Sequence, residues 1–355
     1  MNSSPGVEAF PSILTLSTWR SLAEVYLQLA KARLSSLVVC TTAVGFLLAT
    51  RGTVDWAALA WTVLGTSLIV GGANAVNQVI EVERDARMKR TRGRPLPSGR
   101  LSRRHAIGIA TVSSACGLVL LAGFANLLTA SLAVVAYVVY VAVYTPLKTR
   151  SPLCTLVGGI SGAIPPMMGW AAASGRLELG AWLLFTLLFV WQIPHFLALA
   201  WMCREDYERG GYVMLPLIDR SGARTCRLVL LYTLFLLPAA LAVPLAGLAG
   251  WVYTVGSLAL GGGMLALALR LFHQRTPPNA RNVFLASVIY LPLLLGLMVA
   301  DRSVFAPPLV RAASAATPSA APAAAPGGFP VEIFLGTLAS DASAAPQPIP
   351  EKNTL

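Results

Sequence analysis

The chain has 355 residues, of which 56% are hydrophobic and only 12% charged. Soluble domains carry about a quarter charged residues, so this composition excludes an ordinary globular protein and points to a polytopic membrane protein. The net charge of +12 does not indicate nucleic-acid binding, because the charges sit in short clusters between apolar runs, as in membrane loops.

The first twenty residues, MNSSPGVEAFPSILTLSTWR, lack a basic start followed by a compact apolar stretch, so no cleaved signal peptide is expected. A helix needs about twenty apolar residues to cross the hydrocarbon core. Such runs predict nine spans, at about 34–51, 56–76, 106–124, 126–144, 154–173, 180–201, 226–246, 248–270 and 283–300. The expected fold is all-α, with nine transmembrane helices. Residues 1–25 read as an N-terminal segment and 26–301 as the membrane domain. Residues 302–355 read as a tail, Ala/Pro-rich and expected to be disordered. The five cysteines, Cys40, Cys116, Cys154, Cys203 and Cys226, show no metal or disulfide spacing and read as buried free thiols. Basic residues gather before the first span and after spans two, four, six and eight. This predicts the N-terminus in the cytoplasm (or the matrix) and the C-terminus opposite, with the cell inner membrane as the expected location.

The densest chemistry follows the second span. Asn77, Glu81 and Asp85 are four apart, so at about 100° per residue they drift only about 40° per step and share one helix face. Such a face is either a solvated helix end or a set of hard oxygen ligands for a divalent cation. The polar residues emerging from a span favour the second reading. Nine Lys or Arg residues lie between Arg84 and Arg104. Among them, Arg90 and Arg94 either hold the loop against anionic lipid or close over a diphosphate, whose oxygens match guanidinium forks. Two further clusters fall on the same expected side. Tyr144-Thr145-Pro146-Leu147-Lys148 ends the fourth span, where Lys148 is either a snorkelling lysine or a phosphate contact. Trp191-Gln192-Ile193-Pro194-His195-Phe196 lies within the sixth, followed by Arg204-Glu205-Asp206-Tyr207. His195 is an ionisable group inside a span, either functional or bonded to a neighbouring helix. Asp206 repeats the acidic helix end of Asp85, and the two ends could share metal ions.

With these motifs in view, about residues 25–300 resemble the UbiA superfamily of intramembrane prenyltransferases, and within it the haem-farnesylating branch. Leu29-Ala30-Lys31-Ala32-Arg33 is similar to that branch's opening L-T-K-P-R, with Ala32 where proline is usual. Asn77, Glu81 and Asp85 fall on its N-x-x-x-[DE]-x-x-x-D motif. Met88-Lys89-Arg90-Thr91-Arg92-Gly93-Arg94-Pro95-Leu96 and Trp191 to Phe196 match its branch-specific blocks. The resemblance implies helices around an intramembrane cavity and an enzyme that moves the farnesyl group of farnesyl diphosphate to a vinyl group of haem b. It implies Mg²⁺ held by Asn77, Glu81, Asp85 and Asp206, with Lys31, Arg33, Arg90, Arg94, Tyr144 and Lys148 toward the diphosphate and His195 toward haem. It also implies the lipid bilayer as surroundings and a haem A synthase or oxidase assembly factor as partner. Competing expectations are another UbiA-type acceptor such as 4-hydroxybenzoate, and a transporter, which one-sided acids disfavour.

Overall fold

The computed structural model describes residues 16–302. The expected N-terminal segment and tail therefore fall outside the described residues, except for 16–25 and Arg302. All regular structure among the described residues is helical: α1 (Leu16–Leu29), α2 (Ala32–Ala49), α3 (Trp56–Asp85), α4 (Arg103–Phe124), α5 (Leu127–Val138), α6 (Thr145–Leu147), α7 (Cys154–Ser174), α8 (Leu179–Met202), α9 (Arg204–Arg209), α10 (Leu215–Ile218), α11 (Ala223–Leu245), α12 (Trp251–His273) and α13 (Pro277–Ala300). A π-helical turn, Val139–Tyr144, joins α5 to α6.

The nine expected spans all appear as helices. Eight are long and apolar enough to cross a membrane. The ninth, α7, is long enough but richer in Gly, Ser and Pro. Its reason is positional: α7 packs against α2, α5 and α8, so its surface meets protein rather than lipid and needs less hydrophobicity. Successive spans touch around a closed ring, with α13 returning to α2. The outer surface is a belt of large apolar side chains such as Val112, Val119, Leu234 and Ile289. Of the expected buried thiols, Cys154 and Cys226 are buried, whereas Cys40 and Cys116 are exposed and Cys203 is intermediate. A thiol is apolar enough to sit in that belt, which is why the apolar runs alone did not separate the two cases.

Helix starts follow local chemistry. Asp55, Ser102, Asn126 and Thr276 cap α3, α4, α5 and α13 by accepting from the backbone N–H three residues on. The second expected span continues unbroken to Asp85, so the acidic residues form the last turns of a 30-residue helix. The π turn also has a cause. Pro146 has no N–H to offer the carbonyl four residues back, and the ladder slips by one residue so that Thr145 donates to the Tyr140 carbonyl.

Close approach of α2 and α7 closes the ring's centre. A methyl at Gly169 would lie 1.8 Å from the Thr42 carbonyl oxygen, and one at Gly45 2.0 Å from that of Pro166. Only glycine permits backbones this near, the device by which membrane helices gain packing without a hydrophobic drive.

Candidate active site

Four separate stretches of chain converge at the end of α3. The first is the α1–α2 junction. Lys31 adopts a left-handed conformation (φ 50°, ψ 49°), and no other non-glycine among the described residues has positive φ. This costs about 1–2 kcal/mol for an L-residue, so surrounding bonds must hold it. Side chains of α3 and α2 supply them: Gln78 donates to the Gln28 and Leu29 carbonyls, while Asn74 and Ser35 donate to that of Ala30. These satisfy the unpaired carbonyls at the end of α1 and aim Lys31 inward, its Nζ donating to Asn77 Oδ1 at 2.6 Å.

Asn77, Glu81 and Asp85 do share one face, and all three are buried. Asn77 Nδ2 donates to Thr145 Oγ1 at 3.0 Å. Lys148 Nζ pairs with Glu81 Oε1 at 2.8 Å, and Arg94 Nη1 with Asp85 Oδ2 at 2.6 Å. Lys148 also stands 4.5 Å above the Tyr144 ring. Burial opposes its charge, but the Glu81 carboxylate more than offsets this and raises the Lys148 pKa. Lys31 has no such partner. Removal from solvent, with Arg94 and Lys148 nearby, lowers its pKa to about 7.

The 86–102 loop is held from α9 and the turn after it. Both Asp206 oxygens are engaged, Oδ1 by the Lys89 amide (3.2 Å) and Arg209 (3.3 Å), and Oδ2 by the Arg90 amide (3.1 Å). Arg90 donates to the Tyr207 hydroxyl and Arg84 to the Gly210 and Gly211 carbonyls. Lys148 accepts through its own carbonyl from the Val213 amide at 2.7 Å. Arg33, expected nearby, is exposed.

Among the described residues, no three His, Cys, Asp or Glu side chains converge as a metal site. Asp85 Oδ1, however, is buried without a hydrogen-bond partner. An orphaned carboxylate oxygen one helical turn from Glu81 and two from Asn77 fits a hard cation. Mg²⁺ in particular binds through one or two carboxylates and fills its octahedron with water and phosphate oxygens.

An apolar cavity of about 210 Å³ adjoins this cluster at Tyr144, over which Lys148 stands. Asn74, Tyr140, Tyr144, Trp191, Gln192 and His195 are among its lining residues. Residues 38–291 match the model of the UbiA prenyltransferase family. The chain belongs to that family.

Its relatives narrow the comparison. The chain is 48% identical over 269 residues to protoheme IX farnesyltransferase of Anaeromyxobacter sp. (strain Fw109-5), covering 76% of this chain and 90% of that one. To the mitochondrial protoheme IX farnesyltransferase of Arabidopsis thaliana it is 42% identical over 281 residues, 79% of this chain and 65% of the relative's own length. The fold is that of solved UbiA-type structures. A digeranylgeranylglyceryl phosphate synthase structure matches with TM-score 0.67 at 16% identity, covering 79% of this chain and 98% of that one. A UbiA homologue of Archaeoglobus fulgidus bound to GPP and Mg²⁺ matches with TM-score 0.56 at 14% identity, covering 77% and 99%.

In this UbiA-family enzyme, several polar residues escaped the sequence reading of the site. Tyr140 lies in the π turn and Thr145 just after it, and they bond to Asn74 and Asn77 across more than sixty residues of chain. Asn74 was findable, since it lies three residues before Asn77 on the same face. Ser287, which bonds to His195, carried no signal at all.

Proposed function

We propose that this protein transfers the farnesyl group of farnesyl diphosphate to a vinyl group of haem b, releasing diphosphate and, after water addition, giving haem O. The observation that carries the reading is a charged cluster adjoining an apolar cavity. Two buried carboxylates are each held by a cation, and one of those cations, Lys148, stands over Tyr144, which lines the cavity together with His195. The names of the relatives supply the acceptor.

Of the three basic side chains there, Arg94 and Lys148 are paired with carboxylates, whereas Lys31 is held only by the Asn77 amide oxygen. A diphosphate arriving there meets Lys31 as its least committed donor. As the bond from the prenyl C1 to oxygen breaks, Arg94 and Lys148 can turn from the carboxylates to the departing oxygens, and their charge is then most needed. Bound by Asn77, Glu81 and Asp85, Mg²⁺ would neutralise the diphosphate and favour its departure. The rings of Tyr140 and Tyr144, 5.4 Å apart in the cavity lining, can stabilise the allylic cation. The apolar walls keep water from it until the vinyl carbon has attacked C1. Asp206 and Tyr207 act on the loop: Asp206 accepts from the backbone amides of Lys89 and Arg90, Tyr207 accepts from the Arg90 guanidinium, and together they set the position of Arg94.

The basic loops lie at the same end of the bundle as the site. We read the excess of Lys and Arg there as support for an orientation in which this end, with the N-terminus, faces the cytoplasm or matrix, in an inner membrane. The test is pigment analysis after incubating purified protein with haem b and farnesyl diphosphate, with 4-hydroxybenzoate as rival acceptor. The wild type should form haem O and Asp85→Ala none. Prenylation of 4-hydroxybenzoate alone would overturn the acceptor, and full activity of the variant would overturn the site.

A further inference from the structure

Resting on that reading, the geometry points to Ser287 as the residue that sets His195 for iron. We infer that Ser287 fixes the Nδ1–H tautomer of His195, leaving the Nε2 lone pair in the cavity as the axial ligand of the acceptor haem.

The argument is an accounting of hydrogens. Ser287 Oγ lies 2.6 Å from the Phe284 carbonyl oxygen and 2.8 Å from His195 Nδ1. A serine hydroxyl carries one hydrogen. A carbonyl offers none, so an oxygen–oxygen contact of 2.6 Å requires that the hydroxyl donate to Phe284. The hydroxyl's lone pair is then all that remains for His195, and Nδ1 must be the donor. In a neutral imidazole the other nitrogen is thereby an unprotonated acceptor. The same pattern, one ring N–H held by a neighbour and the other nitrogen free, is how proteins present histidine to metals.

The ring is also fixed in plane. Trp191 stacks on it at 4.9 Å and 21°, and the Trp191 indole N–H donates to the Ser287 carbonyl at 3.0 Å. Phe284 packs on it at 4.9 Å and Phe196 meets it edge-on at 5.3 Å. Ser287 and Trp191 are buried, while His195 keeps partial exposure and lines the cavity. Aromatic rings from two helices thus pack against the imidazole, and Ser287 holds its Nδ1. Among the described lining residues His195 is the one imidazole, and Met168, Tyr137, Tyr140 and Tyr144 are the other side chains of a type that binds haem iron. The iron of a haem is the feature of this substrate that a neutral imidazole nitrogen in an apolar wall recognises, whereas a propionate would call for a donor.

The test is haemin titration of the purified full-length protein in lipid nanodiscs without prenyl diphosphate, read by Soret and resonance Raman spectra. The wild type should show a histidine-bound iron signature that His195→Ala loses and added imidazole restores. Ser287→Ala should weaken haemin binding by about 10–100-fold and broaden that signature, as loss of a partner behind a metal-binding histidine does. Ser287→Cys, close in size but a poor acceptor, should do the same if the alanine variant fails to fold. Identical signatures in wild type and His195→Ala would overturn the inference, as would serine variants that bind like wild type. A wild type that makes haem O without a histidine-bound signature defeats the inference alone. A wild type that neither binds haemin nor makes haem O defeats the function it rests on as well.

Discussion

Removing the Lys148 ammonium should destabilise the protein more than any loss of packing explains, and removing Glu81 with it should restore most of the loss. The two charges are 2.8 Å apart, with side chains 11% and 5% exposed. At an effective dielectric of about 20, this spacing corresponds to roughly 6 kcal/mol of attraction before desolvation is charged against it. Lys148→Met leaves the Glu81 carboxylate buried and unpaired, which costs about 3–5 kcal/mol. At roughly 2–4 °C per kcal/mol for a chain of this size, thermal unfolding in detergent should fall by roughly 6–20 °C. The Glu81→Gln/Lys148→Met double variant should recover, giving a coupling of at least about 2 kcal/mol in a double-mutant cycle. Farnesyl transfer should stay about 10²–10³-fold down in the double variant, because the leaving group has lost its cation. Simple additivity of the two single effects on unfolding would refute the buried ion pair as the organising contact.

Lys31→Gly should leave thermal stability about unchanged, since relief of a left-handed L-residue offsets glycine's entropy cost of about 0.5–1 kcal/mol. The same variant should lose farnesyl transfer more than about tenfold, so equal retention of activity would remove Lys31 from the site. Asp206→Ala frees the Lys89 and Arg90 amides, so limited trypsin digestion should cut the 86–102 loop faster and the KM for farnesyl diphosphate should rise. An unchanged digestion pattern with a shifted Mg²⁺ requirement would instead make Asp206 a metal ligand. Gly169→Ala should abolish detergent-stable protein by forcing α2 from α7, whereas Gly262→Ala, where a methyl meets open space, should melt as wild type does.

Much of the architecture was legible because it is local. Length and hydrophobicity of each run depend on no distant residue, and the nine helices follow from them. The shared face of Asn77, Glu81 and Asp85 likewise needs only helix geometry, and all three proved buried. The boundaries that shifted have local causes too. The second span gained the acidic turns because nothing before Ala86 stops the helix, and the fourth bends where Pro146 lacks its N–H.

What the tertiary structure alone decided is the pairing. Lys31 meets Asn77 across 46 residues and Lys148 meets Glu81 across 67. No spacing rule links such positions, because side chains that far apart in the chain meet only where packed helices bring them. The same holds for Asp206, whose oxygens accept from the Lys89 and Arg90 amides 117 and 116 residues earlier. It holds for α7, whose modest hydrophobicity makes sense only at the centre of the ring. It holds most for Ser287, an unremarked serine in an apolar helix until His195, 92 residues earlier, is seen to lie against it. Composition and periodicity determined that this is a helical membrane protein with an acidic helix face. Close packing decided which cation guards each carboxylate and which nitrogen of the histidine is left free.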